Sequence, residues 1–151
     1  MRSMPIADVM SPRVVSVRPE ETVQVAISRM LEDNVGSVAV CEQERLVGIF
    51  TERDVLRLAG DGAHFEQLRV GDVMTRSLVT VTPDVDVVDA ARLMSERKIR
   101  HLPVLHGENL LGVVGIREVM RSLVEQLWRK HDPEIRETAR GLLEREPSSA
   151  S

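Results

Sequence analysis

The chain has 151 residues, 42% of them hydrophobic and 29% charged, and a formal net charge of −4. That apolar fraction supports a packed core and excludes disorder as the main state. A sequence pI near 5.6 without a block of like charge argues against nonspecific binding to nucleic acid or anionic membrane, since both need a basic surface field. Valine occurs 23 times against three aromatic residues, Phe50, Phe65 and Trp128. The core must therefore be tiled from small β-branched side chains, which suit strands. The single cysteine, Cys41, excludes an intramolecular disulfide and a multi-thiolate zinc site. The opening residues carry no apolar run resembling a signal peptide, so the expected compartment is the cytoplasm. No apolar stretch approaches the roughly 20 residues that span a bilayer.

In chain order, the first event is a motif that returns. Asp8-Val9-Met10 recurs as Asp72-Val73-Met74, and an offset of 64 then holds without a gap, with 16 of the 49 positions from 8 to 56 identical to their counterparts from 72 to 120. A match of that density marks a duplication. Each copy opens with a short alternating segment, Val14 to Val17 or Leu78 to Val81, that stops at Pro19 or Pro83 and predicts a strand followed by a turn. A helix follows. Its apolar stripe is Val23, Ala26, Ile27, Met30 and Leu31 behind a capping Thr22 in copy one, and Val87, Ala90, Ala91 and Met94 behind Asp86 in copy two.

Two short strands come next, Ser37 to Cys41 and Leu46 to Phe50, matched by Leu102 to Leu105 and Leu110 to Val114, with polar turns at 42–45 and 106–109. A second helix begins near Thr51 or Gly115, with Val55 and Leu56, or Val119, Met120 and Leu123, expected to face inward. The order is β-α-β-β-α, twice, an α/β (α+β) fold. A unit of about 60 residues is marginal alone, so the copies are expected to share one core. The expected organisation is repeat 1 over 5–62, repeat 2 over 69–123 and a helical extension over 124–151. In that extension Asp132-Pro133 opens a helix with the stripe Ile135, Ala139, Leu142 and Leu143, and the end from Pro147 is frayed.

Two places could hold chemistry. Gly48-Ile-Phe-Thr51-Glu-Arg-Asp54 puts a glycine where a ligand or backbone can come close, a hydroxyl at a helix start where N–H groups suit phosphate, and a carboxylate able to accept both hydroxyls of a ribose. The same Thr-x-x-Asp spacing also reads as a capping box that only finishes the helix. The run Arg97-Lys98-Ile99-Arg100-His101 could neutralise phosphates, or be a solvated helix end whose cations complement the dipole. Copy one has no cation at the matching positions. Catalysis has no visible machinery: Cys41 fits a small buried hydrophobe better than a nucleophile. His64, His101, His106 and His131 show no paired spacing for zinc.

The doubled unit, the Asp-Val-Met opening of each copy, the Arg-His-Leu-Pro-Val strand and Gly48-x-x-Thr51-x-x-Asp54 together resemble a pair of CBS domains, the Bateman module, of stand-alone bacterial type, over roughly residues 5 to 123. The resemblance implies pseudo-two-fold packing of the repeats, two clefts that bind adenosine compounds such as AMP, ADP, ATP or S-adenosylmethionine, and a homodimeric disc. It assigns Thr51 to phosphate, Asp54 to ribose, Ile49 and Val79 to the base, and Lys98, Arg100 and His101 to phosphates. The other cleft would use Gly115 and Glu118 with Val15, Asn34, Gly36 and Ser37. With no threonine and no cation, it is expected to be empty or to take an uncharged ligand. The implied role is a regulatory sensor acting on an effector protein, not an enzyme, with no required cofactor, no metal, no nucleic acid and no membrane. The competing role is a ligand-free assembly module.

Overall fold

The computed structural model describes residues 4–11, 13–130 and 140. The elements follow the sequence pattern: β1 (Ser16–Val17), α1 (Val23–Asp33), β2 (Ser37–Glu42), β3 (Arg45–Thr51), α2 (Glu52–Gly60), a single turn α3 (Val70–Val73), α4 (Val87–Arg97), β4 (His101–His106), β5 (Asn109–Gly115) and α5 (Ile116–Lys130). The offset of 64 governs the structure as well. Ser37 pairs with Thr51 as His101 pairs with Gly115, and both hairpins carry an irregularity after the same residue, Val40 or Val104. Both α1 and α4 stop at a residue in the left-handed conformation, Asn34 or Lys98.

β1 runs parallel to β2 in a three-stranded sheet. Its counterpart in copy two shrinks to one parallel bridge, Val81 with Val104. Thr22 caps α1 by accepting from the Val25 amide at 3.3 Å. Asp86 does not cap α4 in that way. Its carboxylate instead accepts the Met4 amide at 2.8 Å, which ties the start of the chain to copy two.

The apolar side chains gather in two cores, not the single shared core expected from the sequence. In one, Val23, Ala26 and Met30 of α1 cover Val38, Val40 and Phe50. In the other, Val87, Ala90 and Met94 of α4 cover Leu102, Val104 and Val114. Neither is complete within its own copy. Ile6, at the head of copy one, is buried in the copy-two cluster, while Val70 and Met74, at the head of copy two, are buried in the copy-one cluster. The backbone bonds are reciprocal: the Ile6 amide donates to the Val85 carbonyl at 2.8 Å, and the Val70 amide to the Glu21 carbonyl at 2.9 Å. A marginal 60-residue unit thus completes its core by borrowing an arm from its twin.

Gly48 and Gly112 are where the arms land. A Cβ on Gly48 would sit 2.4 Å from the Met74 sulfur and 3.0 Å from the Thr75 carbonyl oxygen; one on Gly112 would sit 2.9 Å from the Ser11 carbonyl oxygen. Of the two approaches that the sequence leaves open at Gly48, the structure shows the other arm of the protein. Three expected inward residues face solvent instead: Leu31 is 77% exposed, Leu56 74% and Met120 57%. The buried face of each helix is narrower than its apolar stripe, because only one side meets a sheet. The cap at Asp132-Pro133, the stripe Ile135, Ala139, Leu142 and Leu143, and the chain end lie outside the described residues. Arg140 stacks over the Trp128 ring, 5.3 Å from its centroid.

Gly48→Ala is expected to destabilise the fold by about 1–3 kcal/mol, because the arm must shift to admit the methyl group. Gly60→Ala, with nothing within 4 Å of the added carbon, is the control and should be neutral or stabilising by up to about 1 kcal/mol. Urea denaturation compares them, and equal midpoints would show that the landing site of the arm carries no strain.

Candidate functional site

A cavity of about 350 Å³ lies between the copies. Copy one supplies Val15, then Asn34, Gly36 and Ser37 from the turn that leaves α1 and enters β2; copy two supplies Gly115 at the end of β5 and Glu118 in the first turn of α5. All six are residues that the family resemblance assigns to the second cleft. The expectation that this cleft holds no cation is wrong, since Arg13, Arg100 and Arg117 also line it. The expectation failed because it weighed only residues 33–37 against the basic run 97–101, whereas Arg13 and Arg117 come from elsewhere in the copies and Arg100 enters from the bend just before β4.

The charged groups converge on His101. A Cβ on Gly36 would meet the His101 Nε2 at 3.2 Å and the Glu52 Oε1 at 3.0 Å, and one on Gly115 would meet the Glu118 Oε2 at 2.7 Å and the His101 Cδ2 at 3.6 Å. Two glycines therefore clear the space in which one imidazole lies near a carboxylate from each copy. Burial pushes the imidazole pKa below its ordinary value, Glu52 and Glu118 pull it back, and Arg100 adds to the lowering.

The other constellation is locally intact but differently occupied. Thr51 and Asp54 form the capping box: the Asp54 Oδ2 accepts the Thr51 amide at 2.9 Å and its hydroxyl at 3.2 Å, and the Thr51 hydroxyl accepts the Asp54 amide at 3.4 Å. Arg57 takes the remaining oxygen, Oδ1, at 2.8 Å. Asp54 is 4% exposed, so both its oxygens are in use and little of it meets solvent. Ile49 is buried and exchanges two backbone bonds with Thr75, at 3.0 and 2.9 Å. Val79 packs against the copy-two core. Lys98 closes α4 with φ 55° and an exposed side chain.

Of the seven nominated residues, the structure therefore brings Thr51 and Asp54 together, places Arg100 and His101 in the cavity between the copies, and leaves Ile49, Val79 and Lys98 outside its lining. Sequence reasoning missed Arg13, Glu52 and Arg117. The signal for Glu52 was its place beside the cap, where it points into the interface instead of along the helix. Cys41 is partly buried, and burial raises its thiol pKa, the opposite of what a nucleophile needs. Among the described residues no group of three or more His, Cys, Asp or Glu is placed to hold a metal ion, and no helix is long and apolar enough to cross a membrane.

The CBS domain family model matches this sequence twice, over residues 6–61 and 70–125. The chain belongs to the CBS domain family. This CBS pair is 40% identical over 113 residues to the mitochondrial CBS domain-containing protein CBSX3 of Arabidopsis thaliana, covering 71% of the chain but only 55% of that relative. It is 37% identical over 115 residues to YhcV of Bacillus subtilis, covering 76% of the chain and 81% of the relative. Among solved structures, the CBS domain NE2398 superposes with a TM-score of 0.77 at 28% identity, covering 82% of this chain and 99% of that one. Two more distant CBS structures share the fold and contain ligands. The pair of protein MJ0100, in complex with 5-methylthioadenosine and S-adenosyl-L-methionine, gives 0.76 at 20% identity over 83% and 99% of the chains. PAE2072 of Pyrobaculum aerophilum, complexed with AMP, gives 0.70 at 23% identity over 76% and 89%.

Two outcomes follow for this CBS pair. Asp54→Ala is expected to cost about 1–2 kcal/mol in chemical denaturation, because it strips the capping box and strands the Thr51 amide. Because the fold lowers the His101 pKa, the unfolded chain binds that proton first as the pH drops. The stability linked to His101 is then complete above about pH 6.5 and lost as the pH falls through the folded value. His101→Gln should lose less stability than wild type between pH 7.5 and 5.5 in matched thermal melts; equal losses would remove His101 from the pH response.

Proposed function

We propose that this CBS pair is a regulatory, non-catalytic module that binds an adenosine-containing ligand in the cleft between its copies. The observation that carries the reading is the 350 Å³ cavity lined by residues of both copies, a volume within the range of small-molecule sites. A ligand touching both walls binds one arrangement of the halves better than another and shifts their equilibrium by that difference, which is what a sensor requires. In this reading the Glu118 carboxylate accepts ribose hydroxyls, and Arg100 and His101 face phosphate. AMP and S-adenosylmethionine, the ligands in two proteins of the same fold, are the first candidates, with ADP and ATP beside them.

The cleft around Thr51 and Asp54, with Ile49, Val79 and Lys98, is the second seat. Its use requires Arg57, whose side chain is 61% exposed, to give up its 2.8 Å contact with the Asp54 Oδ1. Assembly is the competing role, and one observation favours a homodimer in addition to ligand binding. Leu56 and Met120 stand 64 residues apart, at equivalent places on α2 and α5, and both are exposed, so one two-fold contact could cover both.

Thermal melts against AMP, ADP, ATP, GTP and S-adenosylmethionine test the reading. A ligand at about 100 times its Kd should stabilise the protein by roughly 2.7 kcal/mol. Glu118→Gln combined with Arg100→Ala should abolish most of that gain, whereas Arg57→Ala should leave it. No shift with any ligand favours the assembly role, and loss of the shift only in Asp54→Asn moves the ligand to the second seat.

A further inference from the structure

A second cavity, of about 600 Å³, adjoins the first and shares Asn34, Arg117 and Glu118 with it. One wall is the crossing arm at Asp8 and Val9; the other is a row along α5, Arg117, Arg121, Glu125 and Arg129. Residues four apart lie on one helix face, and this row extends about 18 Å along the axis. Copy one has no such wall. Its helix α2 stops at Gly60, while α5 continues to Lys130, and Arg57, the counterpart of Arg121, is held by Asp54.

We propose that the two cavities form one trough, in which the inner part seats the nucleoside and the arginine row receives a polyphosphate chain. The preferred ligand is then a nucleoside di- or triphosphate over a monophosphate or an uncharged nucleoside. This rests on the adenosine reading above and specifies the ligand class for the same site. Arginine suits the role because its fork binds two phosphate oxygens at once. Arg121 and Arg129 already have partners within the protein, so phosphate oxygens must take those partners' place or share the guanidinium with them. Asp8, Glu118 and Glu125 balance the arginines, so the outer trough lacks the field to collect a bare anion. The chain is held because the nucleoside next to it raises its effective concentration.

Isothermal titration of the whole chain with ATP, AMP, adenosine and inorganic tripolyphosphate, for wild type and an Arg121→Gln/Arg129→Gln variant, tests this. Circular dichroism confirms that the variant is folded. Wild type should bind ATP at least tenfold more tightly than AMP and at least a hundredfold more tightly than tripolyphosphate. The variant should bring ATP to within about threefold of AMP while AMP and adenosine bind as before. Raising salt should shrink the preference for ATP, since ionic contacts at an open trough are screened. ATP no tighter than AMP, a preference that survives in the variant, or tripolyphosphate as tight as ATP each overturns the proposal while AMP binding keeps the adenosine reading intact. If none of the nucleosides or nucleotides binds, the adenosine reading fails and the trough assignment fails with it.

Discussion

The architecture depends on the reciprocal landing of each copy's Asp-Val-Met arm on the other copy's glycine strand. Where Thr75 pairs with Ile49, the sulfur of Met74 lies above Gly48, and the same contact recurs at Gly112 beside Ser11. These contacts seal both cores and clamp β3 close to β5. They also fix the spacing of the walls between which the cavity opens. The cleft is therefore a product of the crossing and not of either repeat.

Within that frame, the site's electrostatics follow from what the helix starts do. The α2 start uses its threonine and aspartate on its own backbone and gives Asp54 an arginine partner, so its charge is locally satisfied. The α5 start has Gly115 in place of threonine, and Glu118 leans back across the glycine towards His101. The copy that departs from the capping pattern thus turns the counterpart of Asp54 into the cavity, where Glu118 joins Glu52 of copy one. Arg13, Arg100 and Arg117 line the same cavity, giving a lining of mixed sign in which a half-buried imidazole stands between acids from both halves.

Much of the fold was legible because the duplication let each copy corroborate the other. The four long strands and the helices α1 and α4 lie where their periodicity puts them, at the same offset of 64. Other features left no local trace. A glycine in a strand reads alike whether a ligand, a backbone or a methionine sulfur approaches it, so the arm exchange at Gly48 was invisible. Leu31, Leu56 and Met120 continue an apolar stripe that the helix covers on only part of its width. Arg13 enters the cavity through tertiary packing and belongs to no motif, and Glu52 fills a position inside the Thr51-x-x-Asp54 spacing to which neither reading of that motif gives a role. Thr51 and Asp54 stand together at the α2 start, with the capping box that their spacing predicts in place.

The crossing arms also bear on how such a chain came to exist. Two identical single repeats, each inserting its arm into the other, would form an isologous dimer with a true two-fold axis. Joining them end to end leaves every contact in place and turns the axis into the pseudo-axis now marked by the offset of 64. Once fused, the halves are free to diverge one residue at a time, and the difference between Thr51 and Gly115 is such a step. An ancestral dimer with two equal clefts would thereby become a single chain whose two clefts differ chemically.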